Sequence, residues 1–162
     1  MSSELPPVEL SESERRRLVT EALKKGEELR QAKRLNEGID LLIEALQYGV
    51  DKAQVYYRLG NLYFDAQKID HAEYAYRKAI EHEPNHVNAH HNLSVVFRQQ
   101  GKLTESVRFR KKAASLARHF PEQVQLSPQQ IEYARGYAKK WMVAGLFVIG
   151  VIILAILLLG RG

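Results

Sequence analysis

Four of the six histidines, His82, His86, His90 and His91, fall within ten consecutive residues, the densest cluster of metal-capable side chains in the chain. Imidazoles at helical spacing hold zinc when thiolates or carboxylates complete the set. Here Pro84 breaks the helix between the first and the last of them, so an i, i+4 pairing is not given, and the chain has no cysteine. No acidic residue completes an evident ligand set. The cluster is expected to pack and not to ligate, with no metal and no other cofactor. The chain also lacks a glycine-rich phosphate loop, a nucleophile elbow and a carboxylate pair whose burial could be argued, so it is read as no enzyme. Without cysteine there is no disulfide or thiolate chemistry, which fits a reducing compartment.

The second concentration of chemistry is cationic. Residues 87 to 120 carry seven Lys and Arg against the single acid Glu105, and the formal charge of +5 is centred there. Arg108, Arg110, Lys111, Lys112 and Arg118 form one run on one predicted helix. Such a run is a solvated surface, or it attracts anionic lipid or an acidic partner. Nucleic acid is disfavoured, because little aromatic side chain interleaves the charges on which bases could stack.

The elements that position these residues are legible from a 34-residue spacing. Residues 53 to 86 place Tyr56, Leu59, Gly60, Tyr63, Ala72, Tyr76, Ala79 and Pro84 in the order W-x2-L-G-x2-Y, A-x3-F, A, P, with Tyr56 in the tryptophan slot. Gly60 and Ala79 are small where two helices must approach closely. Tyr63 and Tyr76 fill gaps between helix pairs, and Pro84 has no N–H with which to continue the second helix. The same positions recur one period downstream as Leu93, Ser94, Phe97, Ser106 and Ala113, and one period upstream as Gly26, Leu29, Gly38, Leu42 and Ala45. The chain resembles the tetratricopeptide repeat family over 19 to 52, 53 to 86 and 87 to 120. The outer repeats depart from the pattern. Ala22 and Lys25 stand where the family prefers Trp and Leu, Arg110 takes the large hydrophobic slot, and no proline closes the third repeat. Terminal repeats are expected to be atypical. His90 occupies the slot of Ala22 and Tyr56, which predicts packing.

The resemblance implies an all-α fold, a three-repeat helical solenoid of six antiparallel helices over 12 to 120, after a flexible segment, 1 to 11. Ser11 with Glu14 has capping-box spacing for the first helix, through Leu18, Ala22, Leu29 and Ala32. The second carries Ile39, Leu42, Ile43 and Leu46 up to Gly49. Asp51 with Gln54, Asp70 with Glu73, and Thr104 are expected as further N-caps. Turns are expected at Gln67 and Lys68 and at Gly101 and Lys102, and the sixth helix runs through Val107, Ala113 and Leu116.

Ser127, Pro128 and Gln130 begin a capping helix within 121 to 140, with Ile131, Ala134, Ala138 and Trp141 on one face. It runs into a single transmembrane helix, 141 to 160, and a two-residue tail, 161 to 162. These twenty residues carry no charge and would span about 30 Å, the thickness of a bilayer core. Their thirteen Leu, Ile, Val and Phe residues favour insertion by roughly 4 to 8 kcal/mol. The opening residues do not form a signal peptide, so tail-first insertion is expected. Arg135, Lys139 and Lys140 against Arg161 keep the repeats cytoplasmic. A bacterial cytoplasmic membrane is favoured over a mitochondrial outer or other organelle membrane.

In tetratricopeptide proteins the first helix of each pair lines a concave groove. By family position the groove residues are Leu23, Glu27 and Arg30, then Tyr57, Asn61 and Phe64, then Asn88, His91, Asn92 and Arg98. The family's carboxylate clamp would need Lys, Asn, Asn, Lys and Arg where this chain has Leu23, Glu27, Arg58, Asn88 and Asn92, so a chaperone-tail receptor is disfavoured. The resemblance implies a tail-anchored adaptor that binds a protein segment in a mixed aromatic and amide groove, with membrane lipid as a further partner and no nucleic acid or small-molecule substrate. The alternative is an accessory or assembly subunit of a membrane protein complex, held mainly through its transmembrane helix.

Overall fold

In the computed structural model, residues 10–121 and Met142 are described. The chain divides into two compact units, Met1–Val124 and Gln125–Gly162, and the helices below belong to the first. They are α1 (Glu12–Gln31), α2 (Leu35–Ala45), α3 (Lys52–Asp65), α4 (Ile69–His82), α5 (Val87–Gln99) and α6 (Leu103–His119), with a 3-10 turn, Leu46–Tyr48, after α2. Apart from Pro121 and Met142, the expected capping helix and membrane span lie outside the described residues, as do residues 1–9. Among the described residues no helix is long and apolar enough to cross a membrane.

One turn is built three times at the 34-residue period. Lys33, Gln67 and Gly101 are left-handed, with φ of 61°, 58° and 76°. The next residue of each, Arg34, Lys68 or Lys102, returns its N–H to a carbonyl five residues back, on Leu29, Tyr63 or Phe97, at 2.8–2.9 Å. This closes the first helix of each pair in a Schellman turn. The second helix starts directly from it, which leaves no place for a side-chain cap.

That overturns two expected caps, at Asp70 and Thr104. Arg34, Lys68 and Lys102 stand at the N-caps of α2, α4 and α6 without a capping bond from their side chains. Thr104 therefore lies inside the first turn of α6. Asp70 sits within α4 and accepts from Gln100 Nε2 at 3.1 Å, and Glu73 is held by Arg77 and Lys102. Asp51 does precede α3, but its own left-handed backbone, φ 49°, leaves its carboxylate to accept from Arg16 at 3.0 Å instead of capping. Ser11 forms the full capping box with Glu14, as expected.

The core follows the small-to-large pairs of the repeat. A Cβ on Gly26 would stand 3.2 Å from Leu42, and one on Gly60 would stand 2.5 Å from the Tyr76 ring. One buried cluster joins Val19, Leu42, Val55, Leu59 and Leu62, and a second joins Tyr76, Ala79, Leu93, Val96 and Phe97. Tyr56 and Tyr63 pack against both. Each buried Leu, Val or Phe side chain contributes roughly 1.5–3 kcal/mol. In the third repeat the pair is remade. Ser94 replaces glycine, Arg110 turns to solvent, and Phe109 fills the space, with its ring 5.3 Å from Phe97 and 5.7 Å from His90. Ser106 then ties α6 to α5 through a 2.7 Å bond from its hydroxyl to the Ser94 carbonyl. Ile43 and Val107, expected on apolar faces, are exposed.

Two histidines build the junction of repeats two and three. Pro84 follows the end of α4, and His86 caps α5 by accepting from the Ala89 N–H at 3.3 Å. Its other ring nitrogen lies 3.4 Å from Gln54 Oε1, and its ring packs 4.7 Å from Tyr57. His90 Nε2 donates to the Pro84 carbonyl at 2.9 Å. Both residues are about 95% buried, at 6% and 5% exposure. Burial is the main cause that pushes both imidazoles below their ordinary value of 6.5, and Lys112 adds to it for His90.

Two outcomes are expected. Gly60→Ala should lower the melting temperature, with a cost of about 1–3 kcal/mol, because the Tyr76 ring is buried and cannot move aside. Equilibrium unfolding followed by circular dichroism measures it, and an unchanged midpoint would contradict the close approach. The neutral histidines set a pH dependence of fixed sign. Above 6.5 folded and unfolded chains both carry neutral imidazoles, while below it the unfolded chain binds protons that the folded one refuses. Stability should therefore fall as the pH drops from about 6.5 through the depressed folded values. In thermal melts, a double variant His86→Asn and His90→Gln should lose that slope between about pH 6.5 and 5.

Candidate functional site

Helices α1, α3, α4 and α5 together enclose a pocket of about 160 Å³ lined by Arg30, Asn61, Phe64, Asp65, Tyr76, Asn92 and Val95. Its floor is a network of three polar side chains from three helices. The Tyr76 hydroxyl donates to Asn61 Oδ1 at 2.8 Å, and Asn92 Nδ2 donates to the same oxygen at 2.9 Å while reaching the hydroxyl at 3.4 Å. Tyr76 is buried, which pushes its phenol far above the ordinary value and keeps it a neutral donor. With Asn61 Oδ1 doubly satisfied, the Asn61 amide nitrogen and the Asn92 amide oxygen have no partner among the described residues. One offers N–H donors and the other an acceptor, the complement of a peptide unit.

Charge on this side is neutralised internally. Arg30 forks onto Glu27 at 2.9 and 3.1 Å and reaches Asp65 at 3.0 Å, while Arg58 reaches Glu27 at 3.1 Å. Burial raises the Glu27 carboxyl, but the bonds from Arg30 and the Arg58 charge outweigh it and hold the group below the usual range. Glu27 and Arg58, two of the five clamp positions, thus pair with each other. Their cations are committed to carboxylates of the same chain, and a ligand carboxylate would have to displace them.

The structure brings Arg30, Asn61, Phe64 and Asn92 together around the pocket, and Tyr57, Asn88, His91 and Arg98 do not line it. Tyr57 is corrected. It is 5% exposed and lies in the α3–α4–α5 seam, 6.2 Å from the Tyr76 ring and 4.7 Å from His86, because its large ring gains more from burial than from facing the groove. Asn88, His91 and Arg98 do not line the pocket; His91 and Arg98 are exposed and Asn88 is half-buried. Val95 and Asp65 line it unforeseen. Val95 stands one period after Asn61 and two after Glu27, so the repeat spacing could have found it. Among the histidines, His82 stacks on Tyr56 at 5.6 Å, and no group of three or more His, Cys, Asp or Glu among the described residues is placed to hold a metal ion.

Arg108, Arg110, Lys111, Lys112 and Arg118 are all exposed on α6. The Arg108 guanidinium lies 5.2 Å from the Phe109 ring, and with Lys112 and His90 these residues border an open hollow of about 270 Å³.

Two tetratricopeptide repeat family models match the chain, over residues 53–86 and 75–108. No curated protein matches it. Among solved structures, a crystal structure of MamA is 24% identical, with 64% of this chain and 61% of that chain covered at a TM-score of 0.60. A second MamA crystal structure is also 24% identical, covering 68% and 61% at 0.57. MamA from Desulfovibrio magneticus RS-1 is 20% identical, covering 60% and 55% at 0.56. This chain spans about three fifths of the length of the MamA chains it matches. The turn repeated at 33, 67 and 101, the paired helices and the two family matches agree: the chain contains tetratricopeptide repeats, folded as an all-α solenoid that resembles MamA.

Proposed function

We propose that the chain is a non-enzymatic scaffold that grips a segment of a partner protein in the pocket between its repeats. The observation that carries this reading is the pair of unspent amide groups on Asn61 and Asn92, set beside the Phe64 ring in the same hollow. A backbone peptide unit satisfies both amides at once, and an apolar side chain of the segment packs on Phe64 and Val95. The internal pairing of Arg30, Arg58, Glu27 and Asp65 favours a segment that is uncharged at this point.

The uncharged stretch 141–160 supports anchoring of the scaffold in a membrane, with Arg135, Lys139 and Lys140 holding the repeats on the cytoplasmic side. In this reading the anchor sets location and the groove sets the partner. A bacterial cytoplasmic membrane remains the favoured site over an organelle surface.

Phe64→Ala combined with Asn92→Ala should lower recovery of the co-purifying partner at least tenfold, as expected for central contacts worth about 1 kcal/mol or more each. Tyr74→Ala, a change on the exposed face of α4, should leave recovery unchanged, with circular dichroism confirming that both variants keep their helices. Equal recovery with both variants would dismiss the groove. For the anchor, the full chain should stay with membranes through an alkaline carbonate wash, and a chain lacking residues 141–162 should not. Release of the full chain would refute the spanning assignment.

A further inference from the structure

One place in the repeat forms a graded row along the groove side: Glu27 on α1, Asn61 on α3 and Val95 on α5 follow one another at the 34-residue period. Asn61 and Val95 line the pocket, and so does Arg30, one helical turn on from Glu27. Both oxygens of Glu27 are taken up by its own chain. Oε1 accepts from Arg30 Nη2 at 2.9 Å and Gln31 Nε2 at 3.2 Å, while Oε2 accepts from Arg30 Nε and Arg58 Nη1, each at 3.1 Å. Among the described residues Glu27 alone bonds both arginines. Asp65 reaches only Arg30, through one bond of 3.0 Å. Arg58 has no other carboxylate partner among the described residues, and its buried Nε has no hydrogen-bond partner. The four side chains are only 23–31% exposed, so water screens these bonds incompletely.

We propose, on the strength of the groove reading, that Glu27 sets the specificity of the groove. It occupies from within the chain the carboxylate position between Arg30 and Arg58, so the groove takes an internal, uncharged stretch of a partner protein and refuses a chain terminus or an acidic side chain. The fork of Arg30 onto a carboxylate is the bonding that a ligand terminus would need. Glu27 makes it without the loss of freedom that a second molecule suffers, and an incoming carboxylate competes against a partner already held in place. Displacing Glu27 strands a half-buried anion, and keeping it crowds three carboxylates, those of Glu27, Asp65 and the ligand, onto two guanidiniums. A backbone amide meets neither cost, because it takes up the Asn61 and Asn92 groups and leaves the ion pairs alone. Without the charge of Glu27, Arg30 and Arg58 share only Asp65 and become a site for an anion.

The test selects from two displayed libraries of random peptides of about 12 residues, one presenting free C-termini and one presenting internal segments, on the full chain in mild detergent. The wild-type chain should enrich internal peptides poor in Asp and Glu, and Phe64→Ala with Asn92→Ala should abolish the enrichment. Glu27→Gln, which keeps the shape of the side chain, should turn the preference toward acidic or C-terminal peptides. The most enriched of these, titrated by fluorescence anisotropy, should bind Glu27→Gln at least about tenfold more tightly than the wild type. Adding Arg30→Gln should remove that gain. Asp65→Asn alone leaves Glu27 on both arginines and should bring the same peptide less than about threefold. Circular dichroism checks the helices of each variant, and the wild-type selection stands whatever Glu27→Gln does to folding. Acidic or C-terminal peptides enriched by the wild type, unchanged preferences in Glu27→Gln, or an equal gain from Asp65→Asn would overturn the proposal and leave the groove reading in place. Enrichment that survives the Phe64 and Asn92 changes, or no enrichment at all, would instead refute the groove reading and the proposal with it.

Discussion

The close approach of two helices at Gly60 and Tyr76 is the constraint from which the rest of the array follows. The aromatic ring occupies the space that a side chain at position 60 would take, so helix axes come near enough for α3 and α4 to share one buried seam. Once the ring lies there, its hydroxyl emerges beside Asn61 and Asn92, and the polar floor of the pocket is a direct consequence of core packing. Shape and recognition chemistry thus depend on one side chain. Ala79, with no exposed surface, leaves room for the same crossing.

The end of the array relaxes this constraint in a definite way. Ser94 can replace glycine because Arg110, one period after Tyr76, no longer points inward. The missing ring is supplied from the neighbouring position by Phe109, which packs on Phe97 and His90. His90 in turn sits where the earlier repeats put Ala22 and Tyr56, so an imidazole completes an aromatic layer. Its Nε2 bond to the Pro84 carbonyl satisfies one polar edge, and the neighbouring rings keep it neutral. Of the histidine cluster, His86 and His90 are part of the joint between repeats two and three, while His82 and His91 are exposed.

The fold was legible because a 34-residue period constrains many positions at once: Gly26, Gly60 and Ser94 mark the crossings, and Pro84 marks an end. Caps were less legible, since Asp70 and Thr104 have the right residue type but the Schellman turn before each helix leaves no orphan position for them. Asp51 shows the same limit from another side, because the long-range pull of Arg16, 35 residues away, is invisible to local spacing. Of the residues assigned to the groove by family position, Asn61, Phe64 and Asn92 line the pocket, whereas Tyr57 is buried in the seam. Family position gives the helix face only to within a neighbouring residue, and a tyrosine at the border turns toward the larger apolar contact. Val95 carried a usable signal in its spacing from Asn61, but its apolar type disguised it as core.

Charge pairing between repeats explains why the two faces of the array differ. Glu27 with Arg58, Arg30 with Asp65 and Glu73 with Lys102 each join a residue of one repeat to the next. Pairs of this kind are modest individually, and the half-buried ones gain from exclusion of water. Each needs a following repeat to supply the partner. Residues on α6 have no such successor among the described residues, so Arg110 and Lys111 stand unpaired for the same reason that Leu103 and Val107 stand uncovered.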